Sequence, residues 1–317
     1  MISKLGRGSR LALAVGLMLA FLAGSAASQQ PPRQPPPGPR PGQPPGPPPG
    51  GGHPWNNDLM MRLGSDRDGF GAETVFVERA GVPSVTRMRD GRWLATFQWF
   101  PEDDRAAFDR VAVAFGDEEG KNWSKPRKVV FEGLPPQYMR PFDPTLVTLD
   151  DGRVRMYFTS TPNPRRPGDR DTTAIYSAIS TDGIHYEFES GARFAVEGKR
   201  VIDCAVLRLG QTWHMIAPIG RPEDGAYHAE SADGLEFTRR DDIPSRPGVN
   251  WTGNLVAHGE GMRFYGSSMR GVWWVYSKDG RQWAAPSFLG FHGGDPTVAS
   301  LGDRQLLIYV SLPRRGQ

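Results

Sequence analysis

Three aspartates each open a short apolar run: Asp143-Pro144-Thr145-Leu146-Val147, Asp203-Cys204-Ala205-Val206-Leu207 and Asp295-Pro296-Thr297-Val298. Carboxyl groups brought together in pairs can cleave a glycosidic bond, one held protonated as the acid and the other ionised as base or nucleophile. A narrow, crowded site helps, because burial and mutual repulsion raise some carboxyl pKa values. An Asp-Pro pair can also simply start a strand, since Asp satisfies turn N–H groups and Pro fixes φ. The catalytic reading of Asp143, Asp203 and Asp295 therefore depends on the fold bringing them together. Arg140, Arg200 and Arg270 lie in the neighbouring segments. A guanidinium grips a carboxylate in a fork, so these arginines either hold an acidic sugar or neutralise the aspartates, and neutralisation is the better account. Trp99 and Trp251 stack on a sugar face or pack the sheets, with equal claim. Asn254, which opens another such run, completes the substrate-binding candidates. His214 falls in mid-strand and reads as a packed histidine. No His/Cys cluster has metal-ligand spacing, and the sequence holds neither a glycine-rich phosphate loop nor a serine nucleophile elbow. No metal and no cofactor is expected.

The elements that must position these residues are repeats. After each opening comes an apolar strand, a tight turn and a second strand: Val82-Pro83-Ser84-Val85 to Trp93-Leu94-Ala95-Thr96-Phe97, Asp143 to Met156-Tyr157-Phe158, Asp203 to Trp213-His214-Met215, Asn254 to Met262-Arg263-Phe264, and Asp295 to Leu306-Leu307-Ile308-Tyr309. Five phrases at intervals of roughly forty to sixty residues point to a propeller or array. A second motif, Ser-x-Asp-Gly-x-x-aromatic, occurs at Ser180-Thr181-Asp182-Gly183, Ser231-Ala232-Asp233-Gly234 and Ser277-Lys278-Asp279-Gly280, with a looser copy at Asp117 to Trp123. Its chemistry is that of a hairpin, in which Ser and Asp bond nearby N–H groups, Gly takes the positive φ and the aromatic folds back.

The last phrase stops after two strands, whereas a propeller blade has four. Strands near residues 59–63 and 73–78, joined by a turn at 65–69, supply the other two and close the ring from both chain ends. The expected fold is all-β, a single five-bladed β-propeller whose last blade is shared by the termini. Closure removes open sheet edges. The tight Asp-Gly turns then lie on one face. The blade openings lie on the other, with the longer loops at residues 99–110, 161–172 and 219–226, where function concentrates. The three aspartates are expected at the mouth of the central channel on that face.

These openings and hairpins resemble the five-bladed propellers of glycoside hydrolase families 43 and 32, and the wider sialidase-like superfamily with its Asp-box hairpins. The resemblance covers roughly residues 59 to 312. It implies a glycosidase site built from acidic residues at the blade openings. Asp143 would be the second-blade residue that tunes the acid or holds the sugar. Asp203-Cys204 stands where family 32 has a Glu-Cys pair, which would make Asp203 the general acid, and Asp295 is left as the candidate base. Two departures stand out: Asp replaces Glu on the third blade, and Gly81-Val82-Pro83-Ser84 has no Asp where those enzymes carry their base or nucleophile. The same stretch resembles the sialidase Arg-Ile-Pro motif with Gly81 in the arginine's place. A glycoside hydrolase-like activity on glycans and a non-catalytic propeller that binds glycan or protein both remain open.

Ahead of the repeats, Lys4, Arg7 and Arg10 precede an apolar run over residues 11–23 and the small residues Ser25-Ala26-Ala27-Ser28. This is the layout of a secretory signal, with an uncleaved anchor as the alternative. Residues 29–54, rich in Pro, Gly and Gln, are expected to form an extended spacer, and residues 55–317 the propeller. Loss of residues 1–28 takes away three basic and no acidic residues, so the formal charge falls from +3 to neutrality. The basic pI thus belongs to the leader, and a nucleic-acid partner is not expected. The expectation is a secreted or periplasmic monomer acting on carbohydrate, without membrane insertion once the signal is cleaved. With one cysteine, Cys204, its core must hold without a disulfide.

Overall fold

The computed structural model describes residues 53–162, 172–221 and 224–311. The expected leader and most of the expected spacer lie outside these residues, as does the greater part of the loop over 161–172. Among the described residues no helix is long and apolar enough to cross a membrane.

Five sheets, antiparallel but for one added outer strand, make five blades. The first runs from Ala80–Arg87 through Trp93–Trp99 and Arg110–Gly116 to Arg127–Lys128. The second begins with Phe142–Thr148 and Val154–Ser160, the third with Ala205–Leu209 and Thr212–Pro218, and the fourth with Asn250–His258 and Gly261–Ser267. Second strands are fully or almost fully buried, as expected of a strand covered on both faces by neighbouring sheets. The second blade has a strand that the repeats do not announce: Val130–Glu132 pairs in parallel with His185–Phe194 at its outer edge.

The fifth blade closes as the truncated repeat requires. Gly294–Leu301 pairs with Arg304–Val310, and Arg304–Val310 pairs with Leu59–Ser65 from the other end of the described chain, Leu59 opposite Val310 and Gly64 opposite Gln305. Thr74–Val77 and Gly69–Phe70 complete it. Side chains fasten the seam. Asp58 N–H donates to Ser311 Oγ at 2.9 Å, Ser311 N–H donates back to Asp58 O at 2.8 Å, and Arg79 N–H donates to Asp58 Oδ1 at 3.0 Å.

The Ser-x-Asp-Gly hairpins form by the chemistry of their residues. Ser180 Oγ accepts from Gly183 N–H at 2.8 Å, while Asp182 Oδ1 accepts from Ile184 and His185 N–H, both at 2.8 Å. Ser231/Asp233 and Ser277/Asp279 repeat the pattern. The looser copy works too: Asp117 Oδ1 accepts from Lys121 N–H at 2.9 Å, and Trp123 Nε1–H donates to Gly120 O, just as Trp123's counterpart Trp283 donates to Gly280 O. Each glycine sits against the preceding blade. A Cβ on Gly183 would come within 2.9 Å of Leu94, and one on Gly280 within 2.8 Å of His228. Glycine is therefore required by blade-to-blade contact as well as by its positive φ.

Candidate active site at the blade openings

The innermost strands open on a shared backbone device. Asp143, Asp203 and Asp295 have φ of +49°, +53° and +41°, and Val82 on the first blade has +49°. On the first, second and fifth blades the ladder shifts register here, so that the opening residues form a bulge. A bulge turns a side chain away from the sheet. Asp tolerates the left-handed region, but for a β-branched residue it is a strained outlier. Val82 therefore shows that the backbone adopts this seat without a carboxylate. The acidic side chains at the other three seats are not there to make the turn.

The three aspartates act on one another. Each residue keeps part of its surface open, but burial of the carboxyl is the largest influence on all three. Asp143 is pushed up to about 7 by burial and then by the charge of Asp295, with the Thr159 hydroxyl and the Arg200 guanidinium pulling the other way. Asp203 is raised well above the ordinary carboxylate range by burial and by the charges of Asp143 and Asp295. Asp295 is also raised by burial, with a hydrogen bond to Thr252 opposing. Thr159, from the second strand of its blade, links two seats: its hydroxyl lies 3.4 Å from Asp143 Oδ2 and accepts from Asp203 N–H at 3.1 Å. Behind Asp203, burial and the charges of Asp203 and Asp143 push the Cys204 thiol up, so it is a poor nucleophile.

A cavity of about 570 Å³ opens between the first and second blades. Val82, Asp143, Arg140 and Arg200 line it, with an apolar wall of Pro54, Phe100, Met139 and Phe142. Two of its buried polar groups have an oxygen without a hydrogen-bond partner, Gln98 Oε1 and Thr173 Oγ1. Buried polar atoms in that condition mark a place where a ligand or solvent completes the bonding. Asp109 also lines the cavity, and sequence reasoning missed it. It ends the first long loop with φ +56°, accepts from Gln98 Nε2–H at 2.8 Å and pairs with the Arg140 guanidinium. Its position after Phe108 in a loop gave no repeat signal. Only its place on the functional face could have pointed to it.

The other candidates are placed differently. Arg140 and Arg200 line the cavity, Arg140 already bound to Asp109 and Arg200 exposed with its field on Asp143. Arg140 is thus paired with Asp109 rather than with the three opening aspartates. Trp99 does not line the cavity, and packs half-buried against the first-blade core. Trp251 cannot stack on a sugar: it is fully buried, with Phe264, Trp273 and Trp283 ringed about it at centroid distances of 5.0–5.6 Å. Asn254 is a tie between blades, its Oδ1 accepting from Val298 N–H at 3.0 Å, and it faces a second hollow further along the channel. Arg270 is exposed off the cavity, its guanidinium 4.1 Å from the Phe288 ring centroid.

No family model matches the sequence, and no curated protein does. Solved structures match through their fold. An α-L-arabinofuranosidase from Lactobacillus brevis aligns at a TM-score of 0.54 and 13% identity, over 75% of this chain and 86% of the other. An α-L-arabinofuranosidase from Clostridium thermocellum aligns at 0.53 and 12%, over 73% and 81%. An exo-β-1,3-galactanase from Phanerochaete chrysosporium, solved with galactose, aligns at 0.53 and 11%, over 78% and 64%. The chain shares the five-bladed β-propeller of these glycosidases.

Proposed function

We propose that this chain is an extracytoplasmic carbohydrate-active propeller of glycoside hydrolase type, with its site at Asp143, Asp203 and Asp295. The observation that carries this reading is the contrast between Val82 and the three aspartates. The same strained seat is filled on one blade by a side chain with no charge and on three by carboxyls whose burial is costly. In the proposed reaction Asp203, its proton retained by burial, donates to the glycosidic oxygen of the leaving group. Asp143 tunes that acid and holds a sugar hydroxyl. Asp295 takes the proton of the attacking water. Gln98 and Thr173 accept from further hydroxyls, and Arg200, which lines the cavity, meets an acidic substituent.

The test is release from a panel of aryl glycosides and plant and animal oligosaccharides. With a substrate in hand, Asp203→Asn is expected to cut kcat about 10²–10⁴-fold, the range for losing a general acid, while the circular dichroism spectrum stays unchanged. Full activity in a folded Asp203→Asn protein would overturn the assignment. Val82, by leaving the first-blade seat without a carboxylate, favours a second reading as a non-catalytic glycan binder. That reading predicts saturable binding on a glycan array with no release from any substrate in the panel.

Export is part of the proposal. Residues 1–28 act as a cleaved secretory signal and residues 29–54 as a spacer ahead of the propeller. N-terminal sequencing of the exported protein is expected to begin at Gln29. Exported protein that begins at Met1 would instead establish an anchor.

A further inference from the structure

Away from the aspartates, on the face of the hairpin turns, three side chains of the third blade converge. His214 lies in Thr212–Pro218, and His228 and Glu230 lie two apart in Gly225–Ser231. The strands are antiparallel with His214 directly opposite Glu230. A strand sends residues i and i+2 to one face, and a cross-strand partner joins them there. Sheet geometry alone thus gathers two imidazoles and a carboxylate, although their sequence positions form no metal-ligand motif. Spacing along one strand cannot reveal such a group, because one of its members comes from the neighbouring strand.

The donor atoms all lie within 4.8 Å of one another. His214 Nδ1 and His228 Nε2 are 3.2 Å apart. Two nitrogens each about 2.0–2.1 Å from a tetrahedral ion would stand at about that separation. Both histidines are buried, and Glu230 is nearly so. Arg240 Nε–H donates to Glu230 Oε2 at 2.8 Å and orients the carboxylate. The other oxygen is 3.7 Å from Arg281, an exposed side chain with room to swing away. Above the two nitrogens sits Gly280 of the fourth-blade hairpin. A Cβ there would lie 2.8 Å from His228 Nε2 and 3.2 Å from His214 Nδ1, so the hairpin backbone packs closely over the donors and any larger residue would press on them.

We propose that His214, His228 and Glu230 bind a divalent first-row transition metal of the zinc class. Two imidazoles and a carboxylate suit that class of ion better than calcium or magnesium, which prefer all-oxygen shells. The ion would tie the two middle strands of the third blade together beside the fourth-blade hairpin, and the glycosidase proposal does not depend on it.

The test uses the tag-free full chain, stripped with chelator and titrated with Zn²⁺ by calorimetry and with Co²⁺ by visible absorption. The expected result is one ion per chain, cobalt bands typical of low coordination number, and a rise in thermal midpoint that chelator reverses. His228→Gln and Glu230→Gln should each weaken Zn²⁺ binding at least tenfold. Circular dichroism identifies a variant that has failed to fold, and Glu230→Gln, which keeps shape and size, provides the second reading. Absence of saturable binding of either ion, or unchanged affinity in either folded variant, would overturn the proposal.

Discussion

Replacing Asp143 with asparagine is expected to stabilise the protein at pH 8 and to leave its stability at pH 4 nearly unchanged. The sign follows from the raised carboxyl, which reaches about 7 against an ordinary value of 3.8. The folded state holds this proton where the unfolded chain has released it. The stability contributed is complete below about pH 4 and is lost as pH rises through 7. Asparagine cannot ionise, so the variant escapes the loss, which is about 1–4 kcal/mol once sharing with Asp203 and Asp295 is allowed for. For a chain of this size each kcal/mol moves the thermal midpoint by roughly 2–4 °C. Urea unfolding of both proteins at pH 4 and pH 8 checks the difference. An equal gap at the two pH values would mean that Asp143 is not a strained ionisable group. If the glycosidase proposal holds, the same variant loses turnover, so the substitution separates what the residue costs the fold from what it does for a substrate.

The second large effect concerns ring closure. A chain beginning at residue 66 lacks Leu59–Ser65, the partner of Arg304–Val310. It is expected to show no cooperative unfolding transition and to aggregate, whereas a chain beginning at residue 53 unfolds cooperatively. The loss bares one edge of a strand carrying the buried Leu306, Leu307 and Ile308, and an open apolar edge recruits other chains. A milder probe is Leu59→Ala. Leu59 is fully buried at the seam, and such truncations cost about 2–5 kcal/mol. Both are read by denaturant melts and light scattering. A monomeric, cooperative chain from residue 66 would show that the seam is dispensable.

Five blades, a shared last blade and the Ser-x-Asp-Gly hairpins were legible because each has a local cause: alternation of side chains, a truncated repeat, and Asp, Ser and Gly where a turn needs them. That Asp143, Asp203 and Asp295 feel one another's charge is in keeping with their places at the openings of innermost strands. What the sequence could not tell was depth. Trp251 and Trp99 have a sugar-binding residue's chemistry, but both are used in packing, one fully enclosed and the other against the first-blade core. Asn254 looks like a fourth opening residue, and its amide is spent on Val298. Asp109 and the His214, His228 and Glu230 group escaped for a related reason: their neighbours come from adjacent strands and loops, and the repeat pattern says nothing of such pairs. The parallel strand Val130–Glu132 was missed because three residues are too few to show a period.

The seam also sets a schedule for the chain's birth. Arg62 reaches Tyr309 across 247 residues of sequence, its Nε–H donating to the phenol oxygen at 2.9 Å. At a ribosomal pace of about 5–20 residues per second, the partner of the first strand emerges roughly 10–50 s after it. Until then Leu59–Ser65 can pair only with Gly69–Phe70 and Thr74–Val77, and the ring cannot lock. Long-range pairing of this kind folds slowly. A nascent chain that cannot close its ring before its last strand is made carries an open last blade throughout synthesis, with its first strand waiting for a partner still inside the ribosome.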